Sequence, residues 1–257
     1  MLYGNESISH YTRSNILIWM LMAFQAGVLN MGGFLACHRF VSHVTGFATF
    51  FGYEFTQRDR SHAWGMLIVP LFFLFGAMVS GYLVDIRLKL HKKPKYYIAY
   101  TFMLVLILIT TVGGVLGWFG PFGAPLEEDP KGYLLLILLC FTCGIQNGTI
   151  TSVSRSVVRT THLTGITTDL GIGLIRIFNK GKLLPEHHEM IDNERKATYM
   201  RVGIITMFVM GSVFAGFVYP VAEYWGFLIP AFTTGILLVS MIYFQIINPR
   251  KKAAAAN

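Results

Sequence analysis

The chain has 257 residues, of which 54% are apolar, 14% aromatic and only 13% Asp, Glu, Lys or Arg, about half the charge usual in a soluble domain. Six stretches of 21 to 24 residues carry no charged side chain, and a helix needs ~20 apolar residues to cross the hydrocarbon core of a bilayer. This excludes an ordinary soluble enzyme, a disordered chain and a nucleic-acid-binding domain, so the net charge of +8 reads as membrane orientation and not as affinity for nucleic acid.

In chain order, the sequence predicts an all-α polytopic membrane protein with six transmembrane helices over residues 16–36, 63–84, 96–119, 132–153, 202–222 and 225–247. The first run is too long for a signal-peptide core and lacks a small-residue cleavage site. Basic residues are segregated by loop. Arg87, Lys89, Lys92, Lys93 and Lys95 follow the second span, whereas Glu127, Glu128 and Asp129 follow the third. A further basic group, from Arg155 to Arg201, follows the fourth span, and Arg250, Lys251 and Lys252 end the chain. With those segments and Arg13 in the cytoplasm, 17 of the 21 Lys and Arg lie inside and both termini are cytoplasmic. Trp64, Trp118 and Trp225 then fall at the outer interface, where indole prefers the lipid–water boundary.

The chain also repeats itself. AGVLN at 26–30 lies over CGIQN at 143–147, pairing Gly27 with Gly144 and Asn30 with Asn147. HVTGFATFFG at 43–52 lies over HLTGITTDLG at 162–171, and FGAMVSGY at 75–82 lies over MGSVFAGF at 210–217. Each half, 1–125 and 126–257, reads as span, motif, span, span. Three spans are an odd number, so the second half enters the membrane from the opposite side, an inverted-topology repeat of the kind found in many secondary transporters. The two halves form one integrated membrane domain.

The regions 40–55 and 160–175 are too apolar for plain loops and too short to span. Each is expected to be a re-entrant or half-membrane helix, with an interfacial amphipathic helix as the alternative. Thr45 and Thr164 are expected to cap these helices, and Gly46 and Gly165 to allow close backbone approach. The paired glycine-x-x-asparagine and x-T-G elements, GVLN at 27–30 with HVTG at 43–46 and GIQNG at 144–148 with THLTG at 161–165, resemble those of the YoaK-type family of bacterial membrane proteins. The resemblance covers residues 14–248 and implies a six-span protein of the bacterial inner membrane, with no substrate attached. Phe47 stands where family members often carry a polar residue.

Several residues are candidates for function. Asn30, Asn147, Gln146, Gln25, Thr45 and Thr164 are polar groups in or beside spans and are expected to line a substrate path; bonds between helices are the alternative. Asp169, enclosed in GITTDLGIGLI, is expected to bind a proton or cation, or else to pair with Arg155, Arg159 or a helix end. Glu54 is expected close to Arg58. His43 and His162 occupy equivalent places and are candidates for coupling or gating, since imidazole titrates near neutral pH; capping or packing is the alternative. Gly76, Gly81, Gly211 and Gly216 are expected at helix contacts.

The C-x-x-C of Cys140 and Cys143, inside the fourth span, reads as small residues at a helix contact. The PEHHEM stretch at 185–190 reads as a solvated linker and not a metal site. No metal site and no cofactor are expected, and no P-loop or hydrolase motif points to an enzyme. The expected function is a secondary transporter or channel for an unidentified small solute, proton- or cation-coupled through Asp169, with its site between the halves near the midplane. The alternative is a membrane sensor or assembly protein that transports nothing. Expected partners are the lipid bilayer, the solute and, in a homo-oligomer, a second copy of the chain; no nucleic acid is expected.

Overall fold

The computed structural model describes residues 13–57, 60–126, 128–153, 163–182 and 188–247. Among them every regular element is helical. The α-helices are α1 (Arg13–Cys37), α2 (Val44–Phe55), α3 (Ser61–Ser80), α4 (Ile86–Lys89), α5 (Tyr96–Val115), α6 (Gly132–Val153), α7 (Leu163–Phe178), α8 (His188–Ala222) and α9 (Leu228–Ile242). A π-helical turn at Gly81–Asp85 joins α3 to α4 without a break, so one helix runs over Ser61–Lys89. Five helical stretches are long and apolar enough to cross a membrane: Arg13–Cys37, Ser61–Lys89, Tyr96–Val115, Gly132–Thr151 and the 58-residue run Met190–Ile247. The protein is therefore a multi-pass membrane protein. The fifth stretch is interrupted by a 3-10 turn at Glu223–Phe227, where Glu223 takes a positive φ of 47°.

Two boundaries differ from the sequence expectation, each for a physical reason. The apolar run 96–119 stops being helical at Val115 because Gly117 takes φ +78°. The amide of Trp118 then donates to the Gly113 carbonyl at 2.8 Å and that of Gly117 to Gly114 at 3.0 Å, the paired bonds of a glycine-terminated helix. In the other direction, α8 begins at His188, well before the apolar run at 202. Charge ends a hydrocarbon span but does not end a helix. Here the extra turns are held by ion pairs of Glu194 with Arg201 and Arg176, and of Lys180 with Asp192 at 3.0 Å.

The helices do not pack in chain order. α1 lies along α8 and α3 lies along α6, while α5 packs on both α6 and α9. α1 and α6 are the innermost, with 56% and 67% of their apolar windows buried against 22% for the helix at Ser61–Lys89. Both crossings are made by glycine. A Cβ at Gly27 would collide with the Phe208 carbonyl and one at Gly211 with the Phe24 carbonyl. A Cβ at Gly144 would collide with the Phe73 carbonyl and one at Gly76 with the Phe141 carbonyl. The Ser212 hydroxyl donates to the Gly27 carbonyl at 3.3 Å across the first crossing, and Ser80 and Thr149 share a hydrogen bond of 2.9 Å across the second.

Of the four glycines expected at helix contacts, Gly76 and Gly211 sit at these crossings. Among the described residues, a Cβ at Gly216 meets only the flexible end of Met31, at 3.1 Å. At Gly81 a Cβ meets nothing within 4 Å among the described residues, although the π turn that begins there packs on α6.

Two apolar clusters fill the bundle. One gathers Val28, Leu29, Val41, Phe47, Leu139, Tyr219 and Phe227, and the other Trp19, Met22, Tyr100, Ile145, Ile204 and Leu237. The seam between them falls on α1 between Ala23 and Val28, on α6 near Cys143–Ile145 and on α9 between Ala231 and Leu237.

Candidate functional site

That seam holds a polar network. Gln25 is the central residue of α1, ~18 Å from either end at about 1.5 Å per residue. Gln146 on α6 lies ~21 Å from the start of its helix, so both amides come to the same depth. Both residues are 0% exposed. Thr233 of α9 donates its hydroxyl to Gln25 Oε1 at 2.7 Å, Gln25 Nε2 donates to Gln146 Oε1 at 3.2 Å, and Gln146 Nε2 donates to the Met22 carbonyl at 2.9 Å. Three helices remote in sequence are thereby joined by neutral dipoles in an apolar interior, where such groups persist only when satisfied. An amide presents a donor and an acceptor together, so the chain of bonds can be exchanged for bonds to a polar solute.

Asn30 is engaged by the segment between α1 and α2. Its Oδ1 accepts the backbone N–H of Ser42 at 3.3 Å and the Ser42 hydroxyl at 3.0 Å. The neighbouring Val41 carbonyl accepts a bond from Cys140 Sγ at 3.3 Å, and the Val41 side chain covers Gly33 of α1. Asn30 is seven residues inside the Cys37 end of α1 and Cys140 eight residues inside the Gly132 end of α6, depths of ~10 and ~12 Å. The non-helical segment 38–43 thus dips to about that distance below the ends of the two helices, where Asn30 bonds the Ser42 amide and Cys140 the Val41 carbonyl. Helix α2 starts at the bottom of this dip and runs along α3. Phe47, in its first turn, is buried in the core, so no polar contact exists at that position. Asn147, the equivalent of Asn30, is buried on α6; Thr161, the equivalent of Ser42 in the repeat, lies outside the described residues.

Beside the dip, Arg39 and Glu54 form a buried ion pair, Nη2 to Oε1 at 3.4 Å, with side chains 9% and 8% exposed. Glu54 therefore pairs with Arg39; Arg58, expected close to Glu54, lies outside the described residues. The Arg39 guanidinium also donates to the His38 carbonyl at 3.1 Å and stands 4.2 Å over the Phe50 ring. A crevice lined by Arg39, Phe40, His43, Gly46, Phe47 and Phe50 opens next to it. His43 is the N-cap residue of α2 and makes no side-chain capping bond. Its Nε2 meets Thr45 Oγ1 at 2.7 Å. Thr45 is corrected from the capping role: it sits inside the first turn, and a Cβ at Gly46 would press on the His43 ring, with Nδ1 at 2.7 Å.

In the second half, α7 lies along α8, and Gly173 brings it against Glu194 and Arg201. Thr164 and Asp169 are exposed on α7. His162, Arg155 and Arg159 lie outside the described residues, as do residues 185–187 of the PEHHEM stretch. The structure thus unites Gln25 with Gln146, gives Asn30 to the dip, and brings neither Asp169 nor His43 to the network. Cys140 and Cys143 are buried free thiols within the α6 packing. No group of three or more His, Cys, Asp or Glu stands ready for a metal among the described residues.

Sequence reading missed Thr233 and the Arg39–Glu54 pair. A threonine in an apolar helix ordinarily bonds its own preceding turn, as Thr234 does to the Pro230 carbonyl at 2.7 Å, so nothing local singles out Thr233. Arg39 carries a signal in hindsight: it is one of the four Lys and Arg that the sequence reading leaves on the side poor in basic residues.

No curated protein and no solved structure gives a significant match to the chain. One family model does, described as Protein of unknown function (DUF1275), and it aligns with residues 18–240. That span takes in most of α1, the dip, both glycine crossings and Thr233, and the chain belongs to the DUF1275 family.

Proposed function

We propose that the protein is a secondary transporter or channel for a small polar solute, built as six spans in two inverted three-helix repeats. The solute site lies between the halves at the Gln25–Gln146–Thr233 network. The observation that carries the reading is reciprocal packing. α1 of the first half crosses α8 of the second through Gly27 and Gly211, and α6 of the second crosses α3 of the first through Gly144 and Gly76. These are the same two repeat positions with the halves exchanged, down to the carbonyls of Phe24, Phe141, Phe73 and Phe208 that they touch. A two-fold axis in the membrane plane requires this exchange, and inverted repeats with a midplane site at broken helices are a transporter architecture.

The sixth span comes from dividing Met190–Ile247 at its 3-10 turn, since 58 residues of helix would be ~87 Å long against ~30 Å of hydrocarbon. The positive-inside distribution supports cytoplasmic termini, and the YoaK-type resemblance supports a bacterial inner membrane. Coupling to a proton or cation through Asp169 belongs to the same reading. No catalytic role is part of it.

The test is a thermal-shift screen of small polar solutes on the detergent-solubilised protein, run beside Gln25→Leu and Gln146→Leu. The reading expects a solute that raises the wild-type melting temperature and moves neither variant. Solutes that shift the variants equally, or a broad screen without response while a constant protein partner co-purifies, would favour the sensor or assembly role.

A further inference from the structure

The helix Ser61–Lys89 is longer than a bilayer needs. Its 29 residues span ~44 Å at about 1.5 Å per residue, against ~30 Å of hydrocarbon. With exposed Trp64 at one interface, ~20 residues of helix reach Val84, and the segment from Asp85 onward stands in the headgroup layer. Exposed apolar side chains form a ridge spaced by three or four along this helix: Leu71, Phe75, Met78, Tyr82, Ile86 and, just beyond it, Leu90. Tyr82 is 74% exposed. The ridge ends where the sequence places Arg87, Lys89, Lys92, Lys93 and Lys95 against the single acid Asp85.

The turn carrying those cations is built and not merely charged. The Lys92 amide donates to the Arg87 carbonyl at 2.8 Å and the Lys95 amide to Leu83 at 3.0 Å. Arg87 Nε donates to the Lys93 carbonyl at 2.7 Å, His91 takes φ 53°, and Gln245 Nε2 fastens the Pro94 carbonyl at 3.2 Å. Lys89 is paired with Asp85 at 2.9 Å, while Lys92 and Lys93 are exposed. An apolar ridge the length of an acyl chain therefore leads into ammonium groups held at headgroup depth.

We propose that this ridge and turn form a binding site for an anionic glycerophospholipid, with an acyl chain along Met78, Tyr82 and Ile86 and the phosphate held by Lys92 and Lys93. Juxtamembrane Lys/Arg clusters attract anionic lipid; what distinguishes this one is the fixed turn joined to an apolar ridge. The site is independent of any transported solute.

The experiment places the full chain in nanodiscs of phosphatidylcholine, with or without phosphatidylglycerol, and measures Tm. Wild type is expected to gain about 2–4 °C with phosphatidylglycerol, and Lys92→Gln/Lys93→Gln is expected to lose that gain while keeping its Tm in phosphatidylcholine. A Lys180→Gln/Lys182→Gln control, basic residues away from the ridge, is expected to retain it. Equal Tm in the two lipids, or equal loss in both double variants, would overturn the site in favour of diffuse surface charge. A gain reproduced by inorganic phosphate in phosphatidylcholine discs would overturn it in favour of a free-anion site.

Discussion

At the scale of single residues, the decisive groups are those with no room to change. Gly27 and Gly144 each face a carbonyl of the crossing helix, and backbone cannot swing aside as a side chain can. Gly27→Ala and Gly144→Ala are therefore each expected to cost about 1–3 kcal/mol, read as a lowered unfolding midpoint in detergent. Gly81→Ala, with open space around it, is expected to stay within ~0.5 kcal/mol of wild type. Equal losses at all three positions would mean that glycine itself, and not the crossings, sets stability. The ion pair of Arg39 with Glu54 makes a second prediction. Glu54→Gln removes a charged partner of the buried Arg39 guanidinium and is expected to cost about 1–3 kcal/mol. Arg39→Met with Glu54→Met removes both charges and is expected to recover most of that loss. A double variant as unstable as the single would assign the damage to packing against Phe50.

At the scale of elements, segment 38–43 is held at depth by Asn30 and Cys140. Asn30→Ala strands two donors of Ser42, each worth about 1–3 kcal/mol when left unsatisfied, whereas Ser42→Ala removes one of them together with its need. The expected order of instability is Asn30→Ala, then Ser42→Ala, then wild type, with faster labelling of a cysteine placed at position 43 in the same order. Unchanged labelling in Asn30→Ala would show that the dip stands without its asparagine. The sequence made the existence of these elements legible, because a run without charge of 21 to 24 residues has few homes except a bilayer. It was less informative about their ends. Gly117 stops α5 inside an apolar run, and α8 continues through fourteen positions before 202, six of them Asp, Glu, Lys or Arg; both are decided by backbone conformation and ion pairs, not by hydropathy. The amides of Gln25 and Gln146 stood out as polar groups inside spans, but Thr233, Ser42 and Arg39 acquire meaning only from partners supplied by other elements of the fold.

At the scale of the whole molecule, the account rests on two halves of opposite orientation. Helices α2 and α7 are the markers of that arrangement, since they are repeat equivalents lying along α3 and α8. Glu128, after the third span, is expected outside, and Lys92 inside. The most direct measurement is labelling of single cysteines in intact cells with a membrane-impermeant maleimide, at position 57 just past α2 and at position 182 just past α7. The three native cysteines are buried and give little background. The account predicts that Gln57→Cys reacts from outside and that Lys182→Cys reacts only after the membrane is opened; reaction of both from the same side would contradict the inversion and the transport reading built on it.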